Sequence, residues 1–169
     1  MKATKEQQFI NIIDEHKKII YKIVNAYCPN KNDKKDLEQE IIIQLWKAFD
    51  NYNSDYKFST WMYRIALNVS ISFYRKEKSR LLKSDSYNKE SIFSIEVDSE
   101  YGQTELDQHL KLLQEFIHNL NELNKALMLL YLEEKSYAEI ADILGITKTN
   151  VATKISRIKL KLKKEFQKI

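Results

Sequence analysis

In 169 residues the only backbone specialists are Gly102, Gly145 and Pro29, which leaves little material for anything but helices. Hairpin turns and phosphate-cradling loops need residues that tolerate positive φ, and strands are usually bounded by glycine and proline. With that punctuation nearly absent, an all-α fold is expected, its loops built from Asn, Asp and Ser. The apolar residues agree. Phe9, Ile12, Ile13, His16, Ile19, Ile20, Ile23, Val24 and Tyr27 recur at helical spacing as one wide stripe. Pro29 and residues 30–33 end that helix, and Asp33 is expected to cap the next, which puts Leu37, Ile41, Leu45 and Phe49 on one face. The Asn-, Asp- and Ser-rich stretch 50–58 reads as a loop. A third helix is predicted from near Trp61, capped by Ser59 or Thr60 and increasingly basic towards its end.

The helical period lapses from 81 to 105 and resumes at Leu106. Two small helical domains are therefore expected, 1–82 and 106–169, joined by a flexible acidic linker over 83–105. Charge follows the same division. Residues 84–107 hold seven acidic side chains against Lys89, whereas 147–169 hold eight basic ones against Glu165. Cys28 stands alone, which excludes an intramolecular disulfide, and its apolar neighbours suggest a buried thiol. His16, His109 and His118 are too scattered for a ligand set, and no nucleophile or nucleotide-binding loop is visible. No catalytic residue, metal or cofactor is expected. The first residues carry charges throughout, so neither a signal peptide nor a membrane span is expected, and the cytoplasm is the expected location.

The most specific local pattern lies between Ser136 and Lys164. Ala141 and Gly145 stand four apart, as a helix-turn-helix requires: a small residue where the helices touch and a residue tolerant of positive φ at the turn. Ile140, Leu144 and Ile146 are expected to pack inward, with Val151, Ile155, Ile158 and Leu162 as the stripe of the second helix and Thr147 as its cap. At about 100° per residue, Asn150, Lys154, Arg157, Lys161 and Lys164 share a sector away from that stripe. Such a face suits the DNA major groove, since Asn and Arg can bridge base edges and lysines can neutralise phosphates. A solvated basic helix would show the same charge, so the turn and the charge ratio carry the DNA reading together.

A helix-turn-helix alone leaves the function open. The first half narrows it. Asp36-Leu37-x-Gln39-Glu40, then Phe58-x-x-Trp61-x-Tyr63-Arg64-Ile65-Ala66-x-Asn68, then Glu139-Ile140-Ala141-x-x-Leu144-Gly145-Ile146 occur in an order that resembles bacterial RNA polymerase sigma factors of the extracytoplasmic-function (ECF) type. The resemblance runs from about Phe9 to Phe166. It departs from the usual pattern at Lys34 and Lys35, at Ser72, where aspartate is frequent, and at Lys135, a place often held by glycine.

The resemblance implies a transcription initiation factor, not an enzyme, that binds core RNA polymerase and promoter DNA. Asp36, Leu37, Gln39, Glu40, Ile41 and Gln44 would meet the clamp coiled coil of the largest subunit, and the second domain would meet the flap of the second-largest. Tyr56, Lys57, Phe58, Ser59, Asn68, Ser72, Arg75 and Lys76 would capture and hold the melted −10 element. Thr147, Lys148, Thr149, Asn150, Thr153, Lys154, Arg157 and Lys161 would read the −35 duplex. An anti-sigma partner is also implied, and the acidic linker would run through polymerase channels made for nucleic acid. Two other readings remain at this point: a helix-turn-helix repressor or activator that dimerises and does not bind polymerase, and a protein-interaction bundle with an incidental basic tail.

Overall fold

The structure, a computed structural model, describes residues 4–83 and 104–168. Among the described residues there are seven α-helices, one 3-10 turn and no strand. The chain divides into two compact units, Met1–Tyr87 and Asn88–Ile169. The acidic linker expected over 83–105 falls almost wholly outside the described residues; Lys83 still belongs to a helix, and Thr104 already caps the next.

The first unit contains α1 (Lys5–Tyr27), α2 (Lys31–Ala48), the 3-10 turn Phe49–Asn51 and α3 (Phe58–Lys83), and its three helices all pack on one another. Each helix start has a local cause. Thr4 caps α1 by accepting the Gln7 N–H at 3.3 Å. Asn30, not Asp33, caps α2, because its side-chain carbonyl accepts the Asp33 N–H at 2.8 Å and so places Asp33 inside the first turn. There its carboxylate suits the helix dipole.

α3 starts three residues before the predicted position and uses neither Ser59 nor Thr60 as a cap. The Lys57 carbonyl accepts from the Thr60 and Trp61 N–H groups at 3.0 and 3.3 Å, and the Phe58 ring is buried against His16, Tyr52 and Trp61. Packing of one aromatic ring, rather than a hydroxyl cap, sets this boundary.

The core of this unit is apolar and aromatic. Ile20, Ile23, Val24 and Tyr27 of α1 meet Leu37, Ile41 and Leu45 of α2 and Met62, Tyr63, Ala66 and Leu67 of α3, all buried. Cys28 is buried beside them, as expected. Ile12, Ile13 and Ile19 are only half-buried, since two neighbouring helices do not cover a stripe as wide as the sequence offers. At one end Phe9 packs edge-on against Trp46 and Phe49, and Lys5 lies 4.5 Å from the Trp46 ring centre while pairing with Asp50 at 2.6 Å. Ser70 is buried at no cost in unmet bonding, because its hydroxyl donates to the Ala66 carbonyl at 2.7 Å.

The second unit contains α4 (Glu105–His118), α5 (Glu122–Leu132), α6 (Tyr137–Leu144) and α7 (Lys148–Phe166), with α7 packed on the other three. Thr104 with Asp107, and Ser136 with Glu139, form capping boxes at α4 and α6. Leu127, Leu130, Ile140, Val151 and Ile155 are fully buried. On α6 the inward residue next to Ile140 is Ile143. Leu144, predicted to pack inward, is half-buried, as is Ile146, because α6 ends there and the chain turns away at Gly145.

Gly145 adopts φ 66 and ψ 34, the left-handed conformation expected of the turn, and an added Cβ would meet nothing within 4 Å. The need for glycine here is therefore conformational, not steric. The turn between α5 and α6 makes a second left-handed residue of Glu134, at φ 58, not of the adjacent Lys135. Two ionisable side chains are also buried in this unit: His118 at 7% exposure and Lys125 at 0%.

Candidate functional site

Three surfaces carry the residues singled out by sequence, and each follows from how its helix is seated. On α2, Asp36 and Gln39 are exposed and Glu40 and Gln44 half-buried, with the Gln44 amide donating to the Glu40 carboxylate at 2.7 Å. Leu37 and Ile41 do not belong to this surface. Both are 0% exposed, and the packing that makes α2 amphipathic consumes them in the core.

The apolar group on the polar face of α2 is Ile43, 45% exposed. At about 100° per residue it falls between Gln39 and Glu40 in angle and in line with Asp36. The run Ile41-Ile42-Ile43 held the signal, because three consecutive apolar residues cannot all face one core.

The second surface joins the segment before α3 to the exposed side of that helix. Tyr56 is 64% exposed and Lys57 is exposed, whereas Phe58 is 8% exposed and Ser59 half-buried within α3. The Phe58 ring is thus part of the floor beneath the loop and not a free stacking platform. Asn68, Ser72, Arg75 and Lys76 are all exposed and lie along one side of α3, a row that Arg64 extends towards the loop. In sequence Arg64 belongs to a motif, and its spacing of four from Asn68 is the signal that places it on this row. Further along, Arg80 pairs with Glu77 at 2.8 Å.

The third surface is α7. Thr147 caps it as predicted, accepting the Asn150 N–H at 3.1 Å. Lys148, Thr149, Asn150, Thr153, Arg157 and Lys161 are exposed and Lys154 is half-buried, while Val151, Ile155 and Ile158 face inward. The Thr153 hydroxyl donates to the Thr149 carbonyl at 3.0 Å. Not every basic residue of the stretch joins this face. Lys159 donates to the Tyr131 hydroxyl at 3.2 Å, and that bond, followed by the charge of the phenol, holds its ammonium above the ordinary lysine range. Lys168 pairs with Glu165 at 2.8 Å.

His109 and His118 share α4 but stand nine residues apart, about half a turn out of phase, so their rings diverge. His109 packs on Phe166, with ring centres 5.5 Å apart. Among the described residues no group of His, Cys, Asp and Glu could hold a metal ion, and no helix is long and apolar enough to cross a membrane.

These surfaces coincide with two recognised sequence families: residues 12–80 match Sigma-70 region 2, and residues 110–162 match Sigma-70, region 4. The ECF RNA polymerase sigma factor SigW of Bacillus subtilis is 28% identical over 179 aligned positions, covering 99% of this chain and 93% of that protein. The ECF RNA polymerase sigma-E factor of Escherichia coli is 31% identical over 150 positions, covering 85% and 77%.

Two solved structures share the fold. One is CnrH in complex with the cytosolic domain of CnrY, with a TM-score of 0.67 and 18% identity over 96% of this chain and 90% of that one. The other is the sigma factor RpoE in complex with the anti-sigma factor NepR from Bartonella quintana, with a TM-score of 0.68 and 17% identity over 93% and 97%. Both halves of the chain thus match sigma-factor regions, in sigma-factor order, which a stand-alone repressor or an interaction bundle would not require. The chain belongs to the ECF family of RNA polymerase sigma factors, the transcription initiation factors that direct the polymerase to promoters.

Proposed function

We propose that the three surfaces divide the work of initiation. The polar face of α2, with Asp36, Gln39, Glu40 and Gln44 around Ile43, docks on the clamp coiled coil of the polymerase's largest subunit. Supporting this is the exposure of Ile43 at the centre of a face that is otherwise polar. An apolar anchor ringed by hydrogen-bonding groups is the usual anatomy of a docking patch. The loop before α3 captures an unpaired base of the −10 element, and Arg64, Asn68, Ser72, Arg75 and Lys76 follow the strand. Asn150, Lys154, Arg157 and Lys161 enter the major groove of the −35 element, with Lys148, Thr149 and Thr153 placed towards the backbone. The second unit also meets the flap of the second-largest subunit.

Chain growth belongs to the polymerase, and the place of action is the cytoplasm, where the polymerase works. The two solved relatives are bound to partner proteins, one of them described as an anti-sigma factor. An inhibitor of that kind, covering the α2 face or α7, is proposed here as well.

Competitive titration of core RNA polymerase tests the docking assignment. Ile43→Asp is expected to weaken the complex at least about tenfold, in the range of a central interface residue, while leaving the melting temperature unchanged. Wild-type affinity in that variant would remove the α2 face from the interface. On the duplex side, Arg157→Ala should cost about 1–3 kcal/mol at one base position, while Lys164→Ala weakens all duplexes alike and lowers the salt slope. Equal, sequence-independent losses would take Arg157 out of the reading set.

A further inference from the structure

We propose that Tyr52 is a positioning residue for base capture, its hydroxyl fixing the backbone from which Tyr56 is presented. The inference rests on the reading of the loop before α3 as the base-capturing segment. Residues 52–57 contain no regular secondary structure, and Tyr56 at their far end is 64% exposed. A ring on such a segment discriminates between bases only if the segment is already ordered, because ordering backbone on binding costs about 1–2 kcal/mol per residue.

Part of that order comes from one phenol. The Tyr52 ring is half-buried and packs on two rings of α3: Phe58 at 5.3 Å between centres and 84° between planes, and Trp61 at 5.2 Å and 52°. Phe58 in turn packs edge-on against His16 of α1 at 5.1 Å. From this seat the Tyr52 hydroxyl donates to the Tyr56 carbonyl at 2.7 Å. The Tyr56 N–H donates to the Asn53 carbonyl at 3.2 Å, and the Asp55 N–H to the Asn53 side-chain carbonyl at 2.9 Å. Both backbone groups of Tyr56 are therefore engaged from within the loop, and its side chain points out. Tyr52 contributes a rigid ring to the floor and a single polar atom to the loop above it. Phenylalanine at this position would keep the first and lose only the second.

That separation makes the role testable against a merely structural one. The full chain, assembled with core RNA polymerase, is offered short single-stranded DNA of randomised sequence, and the bound fraction is sequenced. Wild type is expected to enrich one base at the capture position. Tyr52→Phe should lower that enrichment about three- to tenfold, the worth of one hydrogen bond, without changing the melting temperature or co-elution with the polymerase. Tyr56→Ala should flatten preference at the same position.

If Tyr52→Phe enriches the same base to the same degree, the positioning role is overturned. A fall in melting temperature or in holoenzyme yield that accounts for the lost enrichment also overturns it, since the hydroxyl would then be a structural support. Failure of the wild type to enrich any base would be a different result, overturning the capture reading itself and the role of Tyr52 with it.

Discussion

The two units solve the problem of a small helical core in opposite ways. The first encloses aliphatic and aromatic side chains from three mutually packed helices, and its buried polar group among the described residues is Ser70, bonded to its own helix. The second buries His118 and Lys125 among the leucines and isoleucines of four helices. Burial, and after it the neighbouring Lys125 charge, lowers His118 to about 4 from an ordinary 6.5. The first unit thus depends on shape and the second on a protonation state. Conditions that leave one untouched should act on the other.

The largest separation of the two is expected from Leu37→Ala, a cavity in a fully buried position of α2 that should cost about 2–5 kcal/mol. Hydrogen exchange of the whole chain should show faster opening of α2 and α3 amides with α5 and α7 unaffected. Equal loss of protection in all four would mean that the units are not energetically separate. Such a variant would also lose polymerase binding, but through the fold, unlike Ile43→Asp.

Acid should act in the reverse direction. Because the folded value of His118 lies below its value in the unfolded chain, the unfolded chain takes up the proton first as pH falls. Stability from the neutral ring is complete above about pH 6.5 and is lost as pH drops through about 4, by up to roughly 3 kcal/mol. Exchange in α5 and α7 should rise over that window, and Lys125→Met should raise the His118 pKa by removing the second cause of its depression. An unchanged pH profile in a His118→Gln variant would assign the acid sensitivity elsewhere. The smallest effect is expected from Glu134→Gly. Glycine relieves the left-handed strain at φ 58 but gains freedom in the unfolded chain, for a net stabilisation of about 0.5–1 kcal/mol, read as a small rise in the melting temperature.

The three helices of the first unit were legible from periodicity, and the turn at Gly145 and the cap at Thr147 from residue chemistry, because each depends on contacts within a few positions; the break between α4 and α5, capped by Asn121, was not read. The errors arose where one residue had two roles to choose between. Leu37 and Ile41 were placed both on an apolar face and on a polymerase-binding surface, and burial leaves only the first. Phe58 was assigned to a loop because Ser59 and Thr60 looked like caps, yet its ring is held by Tyr52, Trp61 and His16, and no local pattern displays the contact with His16. Lys159 entered only the basic count of 147–169, and its bond to Tyr131, distant in sequence, has no local signal. The buried position of Lys125 had no sequence signal, since lysine at a helix N-terminus normally faces water.

The division into Met1–Tyr87 and Asn88–Ile169 also bears on how the protein is made. In the first unit α1, α2 and α3 pack on helices near to them in sequence, a topology that folds quickly. Once Tyr87 has been added, synthesis of residues 88–169 takes roughly 4–16 seconds at typical elongation rates, and the first unit emerges before it ends. Late in that interval a nascent chain would already display the α2 face and the loop before α3 while still lacking a complete α7. Capture of polymerase could then begin on the ribosome, before the means to choose a promoter exists.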